Sequence, residues 1–85
     1  MVEAPPDAYK KILAAVFAEA RENAGLSQKQ LAKTSGVGRS GIVTIEAGER
    51  MPSIFTCQML ADGMKMPLAS LVEEIERRFK KSKKQ

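Results

Sequence analysis

The sequence predicts an all-α protein folded as a compact five-helix bundle. Apolar residues recur at helical spacing in separate stretches, capping residues and glycines lie between those stretches, and no stretch predicts a strand. The chain has 85 residues, enough for one domain with one hydrophobic core. We therefore expect one helical domain over residues 8–79, with an irregular lead-in at 1–7 and a basic flexible tail at 80–85.

The first helix is predicted between Asp7, a suitable N-cap, and Gly25, which suits the left-handed conformation that ends helices. An apolar stripe of helical period lies between them, made of Tyr9, Ile12, Leu13, Val16, Phe17, Ala20 and Ala24. This stripe predicts a helix that packs one face on the core.

The second helix starts with a strong capping signal. Ser27 can cap it while Gln30 reaches back to complete a capping box, and Leu26 can pack on Leu31 as a hydrophobic staple. A tight left-handed turn at Gly36 is predicted to end this helix.

The third helix is predicted from Gly38 to the glycine at Gly48. Helical geometry places Ile42 and Ile45 on one face, which we expect to be buried. The opposite face carries Arg39, Ser40, Val43 and Thr44.

Two further apolar stripes predict the last two helices. Ser53 caps a fourth helix with the stripe Ile54, Cys57, Leu60, Ala61 and Met64. Pro67 opens a fifth helix with the stripe Leu68, Leu71, Val72, Ile75 and Phe79. The fifth stripe suits core packing and a dimer seam equally, so its residues are candidates for both.

The net charge of +4 is concentrated at the C-terminal end. Residues 77–85 contain six of the 14 basic residues and no acidic one, so the rest of the chain, with eight basic and ten acidic residues, has a formal charge of −2. Bulk charge is therefore a weak argument for a nucleic-acid partner. We expect the tail to add sequence-independent attraction for phosphates.

The composition offers few side chains suited to catalysis. The chain has no histidine and one cysteine, Cys57, so an intrachain disulfide or a His/Cys zinc site cannot form. The carboxylates Glu73, Glu74 and Glu76 lie in a charged helical run typical of a solvated face. We expect no enzymatic activity, no metal and no cofactor.

Residues 27–47 form two short helices joined by a tight glycine-containing turn, which is the arrangement of a helix-turn-helix unit. If Ile42 and Ile45 anchor the third helix in the core, its other face projects from the surface. Such a helix can enter the major groove of DNA, which is about 12 Å wide. Small residues at its start, Gly38, Ser40 and Gly41, permit close approach.

At this point the sequence resembles the Cro and lambdoid phage-repressor (XRE-like) family of helix-turn-helix regulators. The resemblance covers Ala20 to Met66 and is strongest in AGLSQKQLAKTSGVGRSGIVTIEAGERMPS, which is similar to the family pattern GLSQxxLAxxxGVxxxxIxxIExGxxxPS. It implies a lambda-repressor-like fold whose members mostly bind palindromic operators as two-fold dimers.

The resemblance also implies roles for individual residues. Base contacts are expected from Arg39, Ser40, Val43 and Thr44, and contacts to the DNA backbone from Gln28, Lys29, Gly38 and Arg50. Arg21 and Glu46 match positions that pair in some relatives, and we interpret them as a structural pair.

Two residues depart from the family pattern. Gly41 lies in the first turn of the third helix, where relatives usually carry serine or threonine, and a glycine there costs about 1 kcal/mol relative to alanine. We expect that helix to be soft until it binds. Lys65 replaces a glycine common at the end of the fourth helix, so the next connection is expected to differ locally.

These observations predict a transcriptional regulator, a repressor or autoregulator that binds double-stranded DNA as a homodimer in the cytoplasm, at the nucleoid when bound. No membrane partner or small-molecule effector is evident. Within the same fold, a stand-alone repressor or restriction-modification controller is the first hypothesis and a DNA-binding antitoxin is the second. A protein-interaction adaptor that has lost DNA binding is a third hypothesis, favoured by the near-neutral body and by Gly41.

Overall fold

The computed structural model describes residues 6–83 of the chain. Within that range the regular elements are five helices and no strand: α1 (Pro6–Asn23), α2 (Gln28–Ser35), α3 (Arg39–Glu46), α4 (Ile54–Gly63) and α5 (Leu68–Lys83). Helix α1 packs mainly on α5, α2 packs mainly on α4, and α3 contacts both α1 and α2. The predicted all-α five-helix fold is confirmed.

The helical part of the chain extends beyond the predicted domain, residues 8–79, at both ends. Helix α1 begins at Pro6, so Asp7 is not its N-cap but lies in its first turn, where a carboxylate is favourable to the helix dipole. Helix α5 continues to Lys83, so residues 80–83 of the predicted flexible tail are helical. Extending an existing helix needs no new nucleus, which explains why this apolar-poor end stays helical. Residues 1–5 and 84–85 of the predicted lead-in and tail lie outside the described residues.

The turns around α2 follow the sequence signals. Gly25 adopts a φ of 76° after α1, and its N–H donates to the carbonyl of Glu22 at 3.0 Å. Ser27 Oγ accepts from the N–H of Gln30 at 3.0 Å, and Gln30 Oε1 accepts from the N–H of Ser27 at 2.8 Å, which completes the capping box. Gly36 ends α2 in the left-handed region with a φ of 80°. These devices fix where α2 starts and stops.

The core lies where the five helices meet. Ala61, Ile42 and Ile45 are at most 1% exposed. The other buried core residues are Leu13, Val16, Phe17, Leu31, Cys57, Leu60, Met64, Leu71 and Ile75. Leu71 and Ile75, two of the dimer-seam candidates, are each 2% exposed inside this protomer, so they serve the core.

The predicted stripe of α4 is wrong at Ile54, which is 72% exposed. Helical period specifies only the face on which a residue lies, and burial also needs a neighbouring element. At the first turn of α4 no neighbouring element among the described residues covers Ile54, so its side chain lies in solvent. The neighbouring Phe55 is 68% exposed as well.

Helices α2 and α4 approach each other closely at Gly63. A Cβ atom at Gly63 would lie 2.7 Å from Cβ of Ser35 and 2.9 Å from its Cα. Only glycine fits there without a shift of backbone. Two residues later Lys65 adopts a φ of 59°, a conformation that favours glycine. Lys65 thus takes a backbone conformation that a glycine would favour, and a difference between this α4–α5 connection and that of relatives stays a prediction.

Helix α5 is fastened to α1 by an ion-pair cluster and an aromatic contact. Arg78 donates to Glu19 at 2.6 Å and to Glu74 at 2.7 Å. These hydrogen bonds hold the pKa of both carboxyls below the usual glutamate range. The rings of Tyr9 and Phe79 meet edge to face, with centroids 5.0 Å apart.

We predict that Gly63→Ala destabilises the fold by about 1–3 kcal/mol, because the new methyl group overlaps the backbone of Ser35. The matched control is Gly41→Ala on α3, where a Cβ would make only ordinary contacts at 3.6 Å and 3.7 Å. We expect that control to stabilise the protein by about 0.5–1 kcal/mol, because it removes the entropic cost of a helical glycine. Urea unfolding of the variants measures both changes, and equal destabilisation by the two substitutions would contradict the packing argument.

We also predict that the Arg78 cluster contributes stability that is lost in acid. The pKa of Glu19 and of Glu74 is lowered in the folded chain, so their contribution is present above the unfolded-state pKa of about 4.3 and disappears as pH falls through the lower folded values. The Arg78→Met variant should therefore lose less stability than the wild type between about pH 5 and pH 3. Parallel slopes in thermal unfolding over that range would show that the cluster does not stabilise the fold.

Candidate nucleic-acid interface

The unit formed by α2, the turn at residues 36–38 and α3 is anchored from the inside. Leu31 on α2 is 2% exposed, and Ile42 and Ile45 on α3 are each 1% exposed. Because these buried side chains occupy one face of each helix, the other face of α3 is fixed in its direction. The predicted inner and outer faces of α3 are confirmed.

The outer face of α3 presents Arg39, Ser40 and Val43 to solvent, with Val43 41% exposed. Thr44 is half-buried, and its hydroxyl lies 3.0 Å from the carbonyl oxygen of Gly41, to which it donates. Its hydroxyl proton is therefore engaged in the helix. Of the four predicted base-contacting side chains, three are exposed on the outer face of α3. The fourth, Thr44, is half-buried and bonded to the helix backbone.

The N-terminal end of α3 is open to close approach. Gly38 is its N-cap, with φ −60° and ψ 144°, and brings no side chain over the first amides. Gly38 and Lys29 are both exposed, in keeping with contacts to a phosphate backbone. Free N–H groups at a helix start favour an anion.

Arg50 follows α3 and folds back over its first turn. Its Nη1 lies 3.6 Å from the place where a Cβ of Gly41 would stand. The guanidinium group of Arg50 therefore lies beside the first turn of α3. The sequence predicted a backbone contact for Arg50, but not that its charge lies beside the start of α3.

A polar network behind α3 holds three elements together. Arg21 Nε donates to Glu46 Oε2 at 2.7 Å and Arg21 Nη2 donates to Glu46 Oε1 at 3.0 Å, while Arg21 Nη1 donates to the carbonyl of Leu26 at 2.8 Å. Side-chain exposure is 13% for Arg21 and 8% for Glu46. The hydrogen bonds to Glu46 raise the pKa of Arg21. The structure thus pairs Arg21 with Glu46 and ties both to the α1–α2 connection.

The sequence did not indicate that Gln28 belongs to this network. Gln28 is the first residue of α2, is half-buried, and its Nε2 donates to Glu46 Oε1 at 3.0 Å. The partners are 18 positions apart along the chain. No local pattern reports such a pair, although a polar residue facing inward at a helix start is the kind of signal that invites a search for a partner.

An apolar surface next to the unit was also missed. It consists of Met51, Ile54 and Phe55, which are 46%, 72% and 68% exposed, and we call it the α4 patch. It adjoins a groove of about 160 Å³ whose lining includes Pro52, Ile54, Leu68 and Val72. Three exposed large apolar side chains this close along the chain make it a candidate interaction surface.

The family of the chain follows from a comparison of its sequence with family models. Residues 17–71 match the helix-turn-helix model HTH_3, and that range contains the whole α2–turn–α3 unit and most of the core around it. The chain belongs to this helix-turn-helix family, and it is a DNA-binding transcriptional regulator of that type. A search of curated proteins finds no match. No helix among the described residues is long and apolar enough to cross a membrane.

Solved structures of restriction-modification controller proteins resemble three quarters or more of this chain. C.AhdI from Aeromonas hydrophila is 31% identical, with a TM-score of 0.72 over 75% of this chain and 97% of that one. Wild-type C.Esp1396I is 22% identical, with a TM-score of 0.75 over 81% of this chain and 88% of that one. The C.Esp1396I tetramer in complex with its natural 35 base-pair operator is 24% identical, with a TM-score of 0.70, covering 79% of this chain and 93% of that one. The two C.Esp1396I structures support the fold alone.

Proposed function

We propose that this regulator represses or autoregulates transcription by binding an inverted-repeat operator as a homodimer, with α3 in the major groove. The observation that carries the proposal is the geometry of α3, whose inner face is buried at Ile42 and Ile45 while Arg39, Ser40 and Val43 stand exposed. The 31% identity with C.AhdI favours a restriction-modification controller over an antitoxin or an adaptor. We expect it to act in the cytoplasm, at the nucleoid.

The chemistry of the exposed side chains suits base recognition. Arg39 has the planar donor fork that pairs with the O6 and N7 atoms of guanine. Val43 offers an apolar surface to a thymine methyl group, and Ser40 can donate to or accept from a base or a phosphate. Thr44, with its proton engaged, contributes its methyl group and an acceptor oxygen. Arg39 is thus the main candidate for specificity.

Contacts to the phosphate backbone are assigned to the rim of α3. Lys29 and Arg50 are exposed cations, Gly38 leaves the first amides of α3 accessible, and Gln28 starts α2. Such contacts fix the register of a protein on the duplex without reading its sequence. They also make affinity depend steeply on salt.

For the dimer we propose the α4 patch as the seam, in place of the buried part of α5. Ile54 and Phe55 are the most exposed large apolar side chains among the described residues, whereas Leu71 and Ile75 are enclosed within the protomer. Leu68 and Val72 are half-buried in the adjoining groove and extend the same surface. Phe79 is half-buried against Tyr9 and is less suited to a seam.

The first test is a selection of bound sequences from a random duplex pool at about 0.15 M salt, where non-specific phosphate attraction is weakened. We predict enrichment of an inverted repeat with half-site centres about 10 bp apart. The Arg39→Ala variant should lose about 1–3 kcal/mol of binding to that sequence and relax preference at one base pair of each half-site.

The matched control for charge is Arg77→Ala, which removes an exposed arginine from α5. It should leave base preference intact. If Arg39→Ala retained wild-type affinity and preference, the assignment of α3 as the reading helix would be wrong.

The dimer has its own test. We predict that Phe55→Glu shifts the protein to monomer in sedimentation analysis, because a carboxylate in an apolar seam must be desolvated. Ala15→Glu places the same charge at an exposed position of α1 and should leave the assembly unchanged. A Phe55→Glu protein that remains dimeric would exclude the α4 patch as the seam.

A further inference from the structure

The carboxylate of Glu46 accepts hydrogen bonds from two different side chains. Its Oε1 accepts from Arg21 Nη2 and from Gln28 Nε2, each at 3.0 Å, and its Oε2 accepts from Arg21 Nε at 2.7 Å. Arg21 alone satisfies the carboxylate with a two-pronged contact. The bond from Gln28 is therefore additional to the ion pair that joins α1 to α3.

This bond sets the orientation of the Gln28 amide. A carboxylate only accepts, so Gln28 must turn its NH₂ group toward Glu46. If the amide were turned over, Gln28 Oε1 would face Glu46 Oε1, and both atoms are acceptors. This arrangement is unfavourable because the side chain of Glu46 is only 8% exposed and water cannot readily separate the two oxygens. One of the two Nε2 protons then points to Glu46, and the other is left for an external acceptor.

A phosphate oxygen is also only an acceptor, so a glutamine can bind it only through N–H. Gln28 is half-buried at the start of α2, next in sequence to the exposed Lys29. Arg21 neutralises Glu46, which keeps the carboxylate from repelling an approaching phosphate.

We propose that Glu46 is a positioning residue for DNA binding: it locks the side-chain amide of Gln28 so that an N–H faces the phosphate backbone. This inference rests on the proposed function, because it needs a DNA backbone at the start of α2. It gives the Arg21–Glu46 pair a task beyond holding α1 against α3.

The test is a double-mutant cycle on the duplex enriched by the wild-type protein. Gln28→Ala should weaken binding about fivefold, the effect of losing one hydrogen bond, and Glu46→Gln should weaken it by a similar or smaller factor. In the Gln28→Ala background, Glu46→Gln should cause no further loss. Equal losses in the two backgrounds would mean that Glu46 acts only on the fold, and the proposal would be overturned.

A matched control exists on α4, where Gln58 Nε2 donates to Asp62 Oδ1 at 2.9 Å. Asp62→Asn perturbs the same kind of bond on an exposed pair, and we expect DNA affinity to be unchanged. Circular dichroism and urea unfolding establish that each variant is folded under the binding conditions.

A second measurement needs no variant, so it holds even if Glu46→Gln does not fold. In the NMR spectrum of the wild type, DNA should shift one side-chain amide proton of Gln28 and leave the Glu46-bound proton in place. If both protons moved, or neither, the lock would be excluded. A wild type that enriches no sequence at all would instead count against the proposed function.

Discussion

The position of α3 in the bundle depends on the ion pair between Arg21 and Glu46. Residue 21 is on α1 and residue 46 is the last residue of α3, and the same guanidinium also holds the carbonyl of Leu26, just before α2. One partly buried arginine thus fixes the relative positions of α1, α2 and α3. Removing either charge would leave the other without its partner, a strongly unfavourable state when a charge is buried.

The apolar core and a close contact between helices also hold α2 and α3 in place. Ile42 and Ile45 hold α3 from behind, and the absence of a side chain at Gly63 lets α4 lie directly against the end of α2. These contacts hold the unit from behind and at the end of α2, while Gly41 leaves the first turn of α3 weak in intrinsic helix propensity. The softness of this turn before binding stays a prediction.

Placement of charge matters more here than its sum. The body of the chain is slightly acidic, but Glu19 and Glu74 are paired with Arg78 on the side formed by α1 and α5. The exposed cations Lys29, Arg39 and Arg50 belong to the unit of α2 and α3 and its flank. A regulator can in this way present a basic surface to DNA without a large net charge.

Much of this could be predicted from sequence because the signals are local. The capping box at Ser27, the left-handed glycines at 25 and 36 and the two faces of α3 depend on residues within a few positions of one another. The errors arose where the outcome depends on distant neighbours. Exposure of Ile54 reflects a missing partner helix, and the bond from Gln28 to Glu46 joins residues far apart in the chain. The roles of individual residues on DNA remain predictions.

In the proposed complex α3 and the start of α2, and not the basic end of α5, meet DNA. The most direct measurement is a map of backbone amide shifts in the NMR spectrum of the full chain as an enriched duplex is added. We predict that the largest shifts fall within residues 27–44 and at Arg50. Shifts concentrated in residues 77–83, with α3 unchanged, would contradict it.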